Sequence, residues 1–175
     1  SSYDEKALAM VSSLETCAVS YFMERIKEKT GALNMGQSIH QTQVLVVEDH
    51  PIMRKALSKL FHEHGFPQVD AVENFDKAVK RMAKGDVGLL VTDTRLPFGM
   101  TGIQLTETVR SDDSLPSQPV IIGISSDKSP GLASAYEHAR ADLFLPKDQA
   151  LDLPEVAEKL LIQRFKNPPA SHSPS

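Results

Sequence analysis

Between residues 44 and 165 short apolar runs alternate with stretches whose apolar residues recur at helical spacing. The most telling run is Val87 to Pro97, VGLLVTDTRLP, bounded by Gly85 and Pro97. Its length and β-branched content predict a strand buried on both faces, although periodicity alone leaves a short buried helix open. Val44–Val47, Val69–Val72, Val120–Ile124 and Asp142–Leu145 read as four further short strands. Between them the spacing predicts helices. Pro51 suits a first helical position ahead of an apolar face of Ile52, Met53, Ala56, Leu57, Leu60 and Phe61, which Gly65 stops. Asn74 can cap a helix carrying Phe75, Ala78, Val79 and Met82 up to Gly85. Gly102–Arg110 turns Ile103, Thr106 and Val109 inward, and Pro130–Ala139 is small-residue rich. Pro154–Phe165, with Val156, Leu160, Leu161 and Phe165, closes the series. Strands each followed by a helix leave few topologies other than a doubly wound α/β fold with a five-stranded parallel sheet.

The N-terminus follows a different pattern. Tyr3 to Lys29 contains no Gly or Pro, and Ala7, Met10, Leu14, Cys17 and Tyr21 alternate spacings of three and four. That predicts an amphipathic helix over residues 1–30 with a heptad-like seam, either docked on its own domain or pairing with a second copy as a homodimer. Residues 31–42, with Gly31 and Gly36, read as a linker. The folded domain is then 43–166, and the Pro- and Ser-rich residues 167–175 form a tail or a linker to an output domain.

Composition narrows the function. A formal net charge of −4 over 175 residues gives no electrostatic reason for direct nucleic-acid or anionic-membrane binding. No apolar run approaches the roughly 20 residues of a membrane span, so a cytoplasmic location is expected. The lone Cys17 excludes an intrachain disulfide and a cysteine-based zinc site.

In a parallel sheet every strand ends on the same edge, where open α/β sheets bind ligands. Glu48 and Asp49 follow the first strand, Asp93 ends the third, Ser125 follows the fourth and Lys147 the fifth. Each acidic residue alone is weak evidence, since an Asp after a strand can equally cap the next helix. Together, three crowded carboxylates repel one another unless a cation neutralises them. A hard divalent ion that takes oxygen ligands and keeps several waters, Mg²⁺ above all, fits this set better than zinc does.

Taken in order, these motifs resemble the receiver domain of two-component response regulators, whose sheet order is 2-1-3-4-5. Glu48-Asp49 follows strand one, Asp93 carries Leu96-Pro97 behind it, Ser125 lies in GISSD, and Lys147 lies in DLFLPKD with Phe144 three residues earlier. The resemblance implies that Asp93 is the phosphoacceptor, taking a phosphoryl group from a histidine kinase or a histidine phosphotransfer protein. It implies that Asp49 and Asp93 hold Mg²⁺ directly, Glu48 through water, and that the Arg95 backbone carbonyl completes the protein's share. Lys147 and Ser125 would each meet a phosphate oxygen. Ser125 and Phe144 would form the switch, reshaping the face made by the helix over 130–139, the strand over 142–145 and the helix over 154–165, a second candidate dimer surface.

The chain departs from the family pattern in three places. Proline precedes Lys147 rather than following it, so the Lys147–Asp148 bond is expected to be trans or held by strong local contacts. The LPFGMT loop carries Phe98-Gly99 as an apparent excess. Arg95 and Asp127 stand where they could pair across the phosphoryl group, or stay as two separate solvated charges. Two other functions compete. A receiver-like scaffold without phosphotransfer would use the N-terminal helix as its working surface. A phosphatase with an aspartyl nucleophile would want a general acid two residues after Asp93, where Arg95 stands instead.

Overall fold

The computed structural model describes residues 2–169. The chain divides into two units, Ser1–Ser38 and Ile39–Ser175. Helix α1 spans Ser2–His40, so the residues read as a linker over 31–42 are helical up to His40. Glycine costs about 1 kcal/mol in a helix interior. Around Gly31 and Gly36 stand the good helix formers Ala32, Leu33, Met35 and Gln37, which offset that cost. Ile39 is buried, and the Thr42 N–H donates to the Ile39 carbonyl at 3.0 Å where the helix ends. Of the expected seam, Ala7, Cys17 and Tyr21 are exposed, whereas the side chains of Met10 and Leu14 lie outside the described residues. A different stripe stands out on α1. Val19, Phe22, Met23 and Ile26, spaced three and four apart, are 42% to 65% exposed.

The second unit holds a five-stranded sheet: β1 (Gln43–Val47), β2 (Val69–Val72), β3 (Val87–Asp93), β4 (Val120–Ser125) and β5 (Leu143–Pro146). Its order is β2-β1-β3-β4-β5, and every pairing is parallel. Connecting helices are α2 (Pro51–Glu63), α3 (Phe75–Met82), α4 (Gly102–Arg110), α5 (Gly131–His138) and α6 (Leu153–Lys166). The doubly wound fold is therefore the one expected from the alternating pattern, and the strand order is the one implied by the receiver-domain resemblance. Of the expected tail, residues 170–175 lie outside the described residues.

Alternation along the strands builds two cores. Leu45, Val47, Leu90 and Ile121 pack with Ala78 and Met82 of α3 and Leu105 and Val109 of α4. Val44, Val46, Leu89, Val91, Ile122 and Ile124 form the other buried layer, with α2 against β1 and α6 against β4. Helix starts are fixed locally. Asn74 caps α3 by accepting from the Lys77 N–H at 2.9 Å, and Thr101 and Gln104 form a reciprocal capping box on α4. For α2 the cap is His50, whose ring accepts from the Met53 N–H at 3.4 Å. Asp49 is thereby not the cap of that helix.

Four inward assignments differ from the sequence reading, among them Ala56, which is exposed. Ile52 is 75% exposed and Phe165 58%, while Leu105 takes the deep position expected for its neighbour Ile103. The inner face of α6 includes Leu161, as expected, together with Leu153, Pro154 and Ala157. The LPFGMT loop folds into a 3₁₀ turn over Pro97–Gly99, closed by Leu96 N–H to Met100 O at 3.0 Å. Phe98 at its tip is exposed and sits in the left-handed region with φ 64°.

Candidate functional site

The C-terminal edge of the sheet gathers the predicted residues. Glu48 follows β1 and is buried; its N–H donates to Val72 O at 3.0 Å, which extends the β1–β2 ladder by one residue. Asp93 ends β3, 7% exposed, because the strand is enclosed on both faces right up to its last residue. Ser125 ends β4 and is also buried. Lys147 follows β5 directly, and its bond to Asp148 is trans like every other peptide bond described.

Glu48, Asp49 and Asp93 each offer a carboxylate oxygen, all within 4.8 Å of one another. Lys147 reaches into this group. Its Nζ lies 3.0 Å from Glu48 Oε2 and 3.1 Å from Asp93 Oδ2, with only 14% of its side chain exposed. The lysine is held charged: burial works against its proton, but the close approach of Glu48 and the charge of Asp93 outweigh it and raise its pKa. Glu48 moves the other way. Burial first, and the neighbouring Asp93 charge second, push its carboxyl up to about 7, against the opposing pull of Lys147. The displaced proline does not prevent Lys147 from reaching the acidic residues.

Other residues position this set. Thr94 donates its backbone N–H to Asp93 Oδ1 at 2.8 Å, fixing the rotamer of the carboxylate. Arg54 on α2 donates to the carbonyls of Glu48 and Asp49 at 2.9 and 3.2 Å and pins the backbone of the acidic pair. Ser125 Oγ accepts the Asp127 N–H at 3.0 Å. Asp127 itself bonds to the Ser129 hydroxyl and backbone, which lower its pKa most, with Arg95 a lesser contributor. No Arg95–Asp127 ion pair forms among the described residues, so the two stand as separate charges. The Arg95 backbone bridges to Thr101 across the base of the 3₁₀ turn. Phe144 on β5 is half-buried and stacks on Tyr136 of α5, centroids 5.4 Å apart. Sequence reasoning missed Arg54, Thr94 and Tyr136. None belongs to a motif, and only a polar residue directly after the strand-ending Asp93 could have drawn attention to Thr94.

The donor set fits a divalent cation. Glu48 Oε2 is completely buried yet lacks an aligned hydrogen-bond donor, although Lys147 Nζ is close enough to attract it. Three carboxylates against one ammonium leave a negative excess that a hard cation with oxygen ligands would neutralise. One consequence can be measured. Below pH 7 Glu48 carries a proton that cation binding must displace, so Mg²⁺ affinity should fall by up to about tenfold per pH unit as pH drops from 7 towards 5. Glu48→Gln should bind more weakly at pH 8 and show a nearly flat profile; calorimetric titration at several pH values checks both.

Comparison with known proteins agrees with this geometry. The family model described as the response regulator receiver domain matches residues 44–158. The chemotaxis protein CheY of Pseudomonas aeruginosa is 29% identical over 118 residues, covering 67% of this chain and 94% of its own. CheY-3 of Vibrio cholerae is 27% identical, covering 67% of this chain and 90% of its own. In fold, the chain is similar to the chemotaxis response regulator CheY4 of Vibrio cholerae, with a TM-score of 0.58, 21% identity and coverage of 67% and 98%. It is also similar to the signal receiver domain of a signal transduction histidine kinase from Syntrophus aciditrophicus, with a TM-score of 0.62, 22% identity and coverage of 77% and 99%. Among the described residues no helix is long and apolar enough to cross a membrane. A receiver-domain match over residues 44–158, on a parallel sheet of order 2-1-3-4-5 with an acidic edge, means that the chain belongs to the response regulator receiver domain family of two-component signalling.

Proposed function

We propose that this chain is a phosphorylation-controlled switch in which Asp93 takes a phosphoryl group from a histidine kinase or a histidine phosphotransfer protein. An Asp93 carboxylate oxygen forms the new bond to phosphorus as the phosphorus–nitrogen bond to the donor imidazole breaks. The imidazole nitrogen keeps the electron pair and takes up a proton, and the product is an acyl phosphate on Asp93. Transfer of this kind needs positioning and charge neutralisation more than covalent help. The observation that carries the reading is the joint approach of Lys147 to Glu48 and Asp93 beside Asp49.

This chain's residues divide the work. The Thr94 N–H holds the Asp93 carboxylate in one orientation. Lys147 supplies a mobile point charge for an arriving phosphate oxygen. Ser125 offers a hydroxyl to another, releasing the Asp127 N–H that it accepts at rest. Asp49, Asp93, Glu48 and the Arg95 carbonyl would hold Mg²⁺, which when bound neutralises charge on the phosphoryl oxygens. The chain is in this reading a regulatory phosphoacceptor, not an enzyme turning over a separate substrate. Phosphoryl uptake from acetyl phosphate that requires Mg²⁺ and localises to Asp93 by peptide mapping tests the proposal; uptake elsewhere, or none, defeats it.

The exposed stripe on α1 supports a second element, pairing of this helix with that of another copy. Val19, Phe22, Met23 and Ile26 recur at the spacing a helix–helix seam requires. Light scattering on the full chain should give a dimer, and Phe22→Glu with Ile26→Glu should give a monomer. An unchanged mass would remove α1 as the pairing surface.

A further inference from the structure

The geometry points to Tyr136 as the gate of the switch: its ring fills the space over Gly123 into which Phe144 would turn, and its hydroxyl ties that ring to Thr94 beside Asp93. This rests on the reading of Asp93 as phosphoacceptor and of Ser125 and Phe144 as the moving pair, and it adds the part that holds the resting position.

The placement follows from the sheet register. Gly123 lies directly across from Phe144 in the β4–β5 pairing, and Ser125 lies two residues further along β4. Residues two apart on a strand share a face, so Gly123, Ser125 and Phe144 look the same way. An inward turn of Phe144 towards Ser125 therefore passes over Gly123. That space is taken. Tyr136 is 1% exposed, and a Cβ at position 123 would collide with three atoms of its ring. Phe144 stacks on the same ring with planes 18° apart. For Phe144 to move inward, Tyr136 has to move with it or ahead of it.

The hydroxyl explains what restrains it. Thr94 Oγ1 donates its one proton to the Ile124 carbonyl at 2.8 Å, so at the 2.9 Å contact between the two hydroxyls Tyr136 donates and Thr94 accepts. The Thr94 backbone N–H is bound to Asp93 Oδ1. A continuous path thus runs from the phosphoacceptor carboxylate through Thr94 to the ring on which Phe144 lies. A phenylalanine at 136 would fill the space over Gly123 without burying a hydroxyl. The phenol is buried, and among the described residues only Thr94 satisfies it.

A bond present at rest and lost in the switched state opposes switching, and by linkage it opposes whatever binds the switched state better. Calorimetric titration of the full chain with beryllofluoride and Mg²⁺ tests this, because that ion mimics a phosphoryl group on an aspartate. Tyr136→Phe and Thr94→Val are each expected to bind about three- to tenfold tighter than the natural chain. The double variant should gain no more than either single one, and Thr94→Ser, which keeps the hydroxyl, should behave as the natural chain does. A merely structural hydroxyl would lower stability in urea without tightening binding. Variants that bind within about twofold of the natural chain, or more weakly, overturn the gate while leaving Asp93 as acceptor. A natural chain that fails to bind beryllofluoride with Mg²⁺ overturns the phosphoacceptor reading and the gate together.

Discussion

Asp93→Asn is expected to take up no phosphoryl group from acetyl phosphate under conditions that fully load the natural chain, a fall of at least about 100-fold in rate. An amide oxygen is a far weaker nucleophile than a carboxylate, and the replacement keeps the shape of the side chain and its bond from the Thr94 N–H. The variant should therefore fold normally. Intact-mass measurement over a time course reads the result directly. Persistent uptake in Asp93→Asn would mean that Asp49 or a hydroxyl accepts instead, and the assignment of Asp93 would be wrong. The same variant carries a second readout. With the Asp93 charge removed, the cause that ranks after burial in lifting Glu48 disappears, so the Glu48 carboxyl should return part of the way towards the ordinary carboxylate range. Carbon-detected NMR titration would follow it.

Lys147→Met should cost about 3 kcal/mol of folding stability at pH 8 without Mg²⁺, the largest stability effect expected at this site. It leaves Glu48 and Asp93 buried side by side with no counter-charge, which is more costly than losing both charges at once. The pH dependence has a definite sign. Glu48 titrates near 7 in the folded chain and near 4.5 unfolded. As pH rises through that window the unfolded chain releases a proton that the folded chain still holds, so this group's contribution falls as pH rises and levels off above 7. Without Lys147 the Glu48 carboxyl moves higher still. The deficit of the variant should therefore be small at pH 5, grow towards pH 8, and shrink when Mg²⁺ is added. Urea denaturation at both pH values checks this. A deficit independent of pH and of Mg²⁺ would mean that Lys147 stabilises only by packing its stem.

What the chain's pattern made legible is what burial on both faces dictates. The run from Val87 to Asp93 could be read as a central strand because almost every side chain in it had to be apolar, and its end at Asp93 followed. Glu48, Asp49, Ser125 and Lys147 were legible as neighbours because parallel strands share an edge, so order along the chain became proximity in space. Amphipathic surfaces were less legible. Periodicity gives an arc of a helix, and Ile52 and Phe165 lie at the ends of their arcs, where a small rotation decides between core and solvent. Residues 31–42 misled for another reason. Gly31 and Gly36 have a turn-like composition, but glycine's helix cost is small enough for neighbouring helix formers to offset. Tyr136 was illegible in principle. Nothing local distinguishes a tyrosine whose hydroxyl finds a partner forty-two residues away from any other aromatic on a helix.

The bare backbone at position 123 has a consequence for how this sequence can drift. Gly123 and Tyr136 behave as a single unit of volume shared between a strand and a helix. Enlarging the first alone forces two groups into one place, and shrinking the second alone opens a hole, each costing on the order of 1–5 kcal/mol. Only an exchange of bulk, a larger residue at 123 matched by a smaller one at 136, preserves the packing, and it would also sever the hydroxyl link to Thr94. Lineages that made that exchange would retain the sheet and the acidic edge while losing the restraint on Phe144.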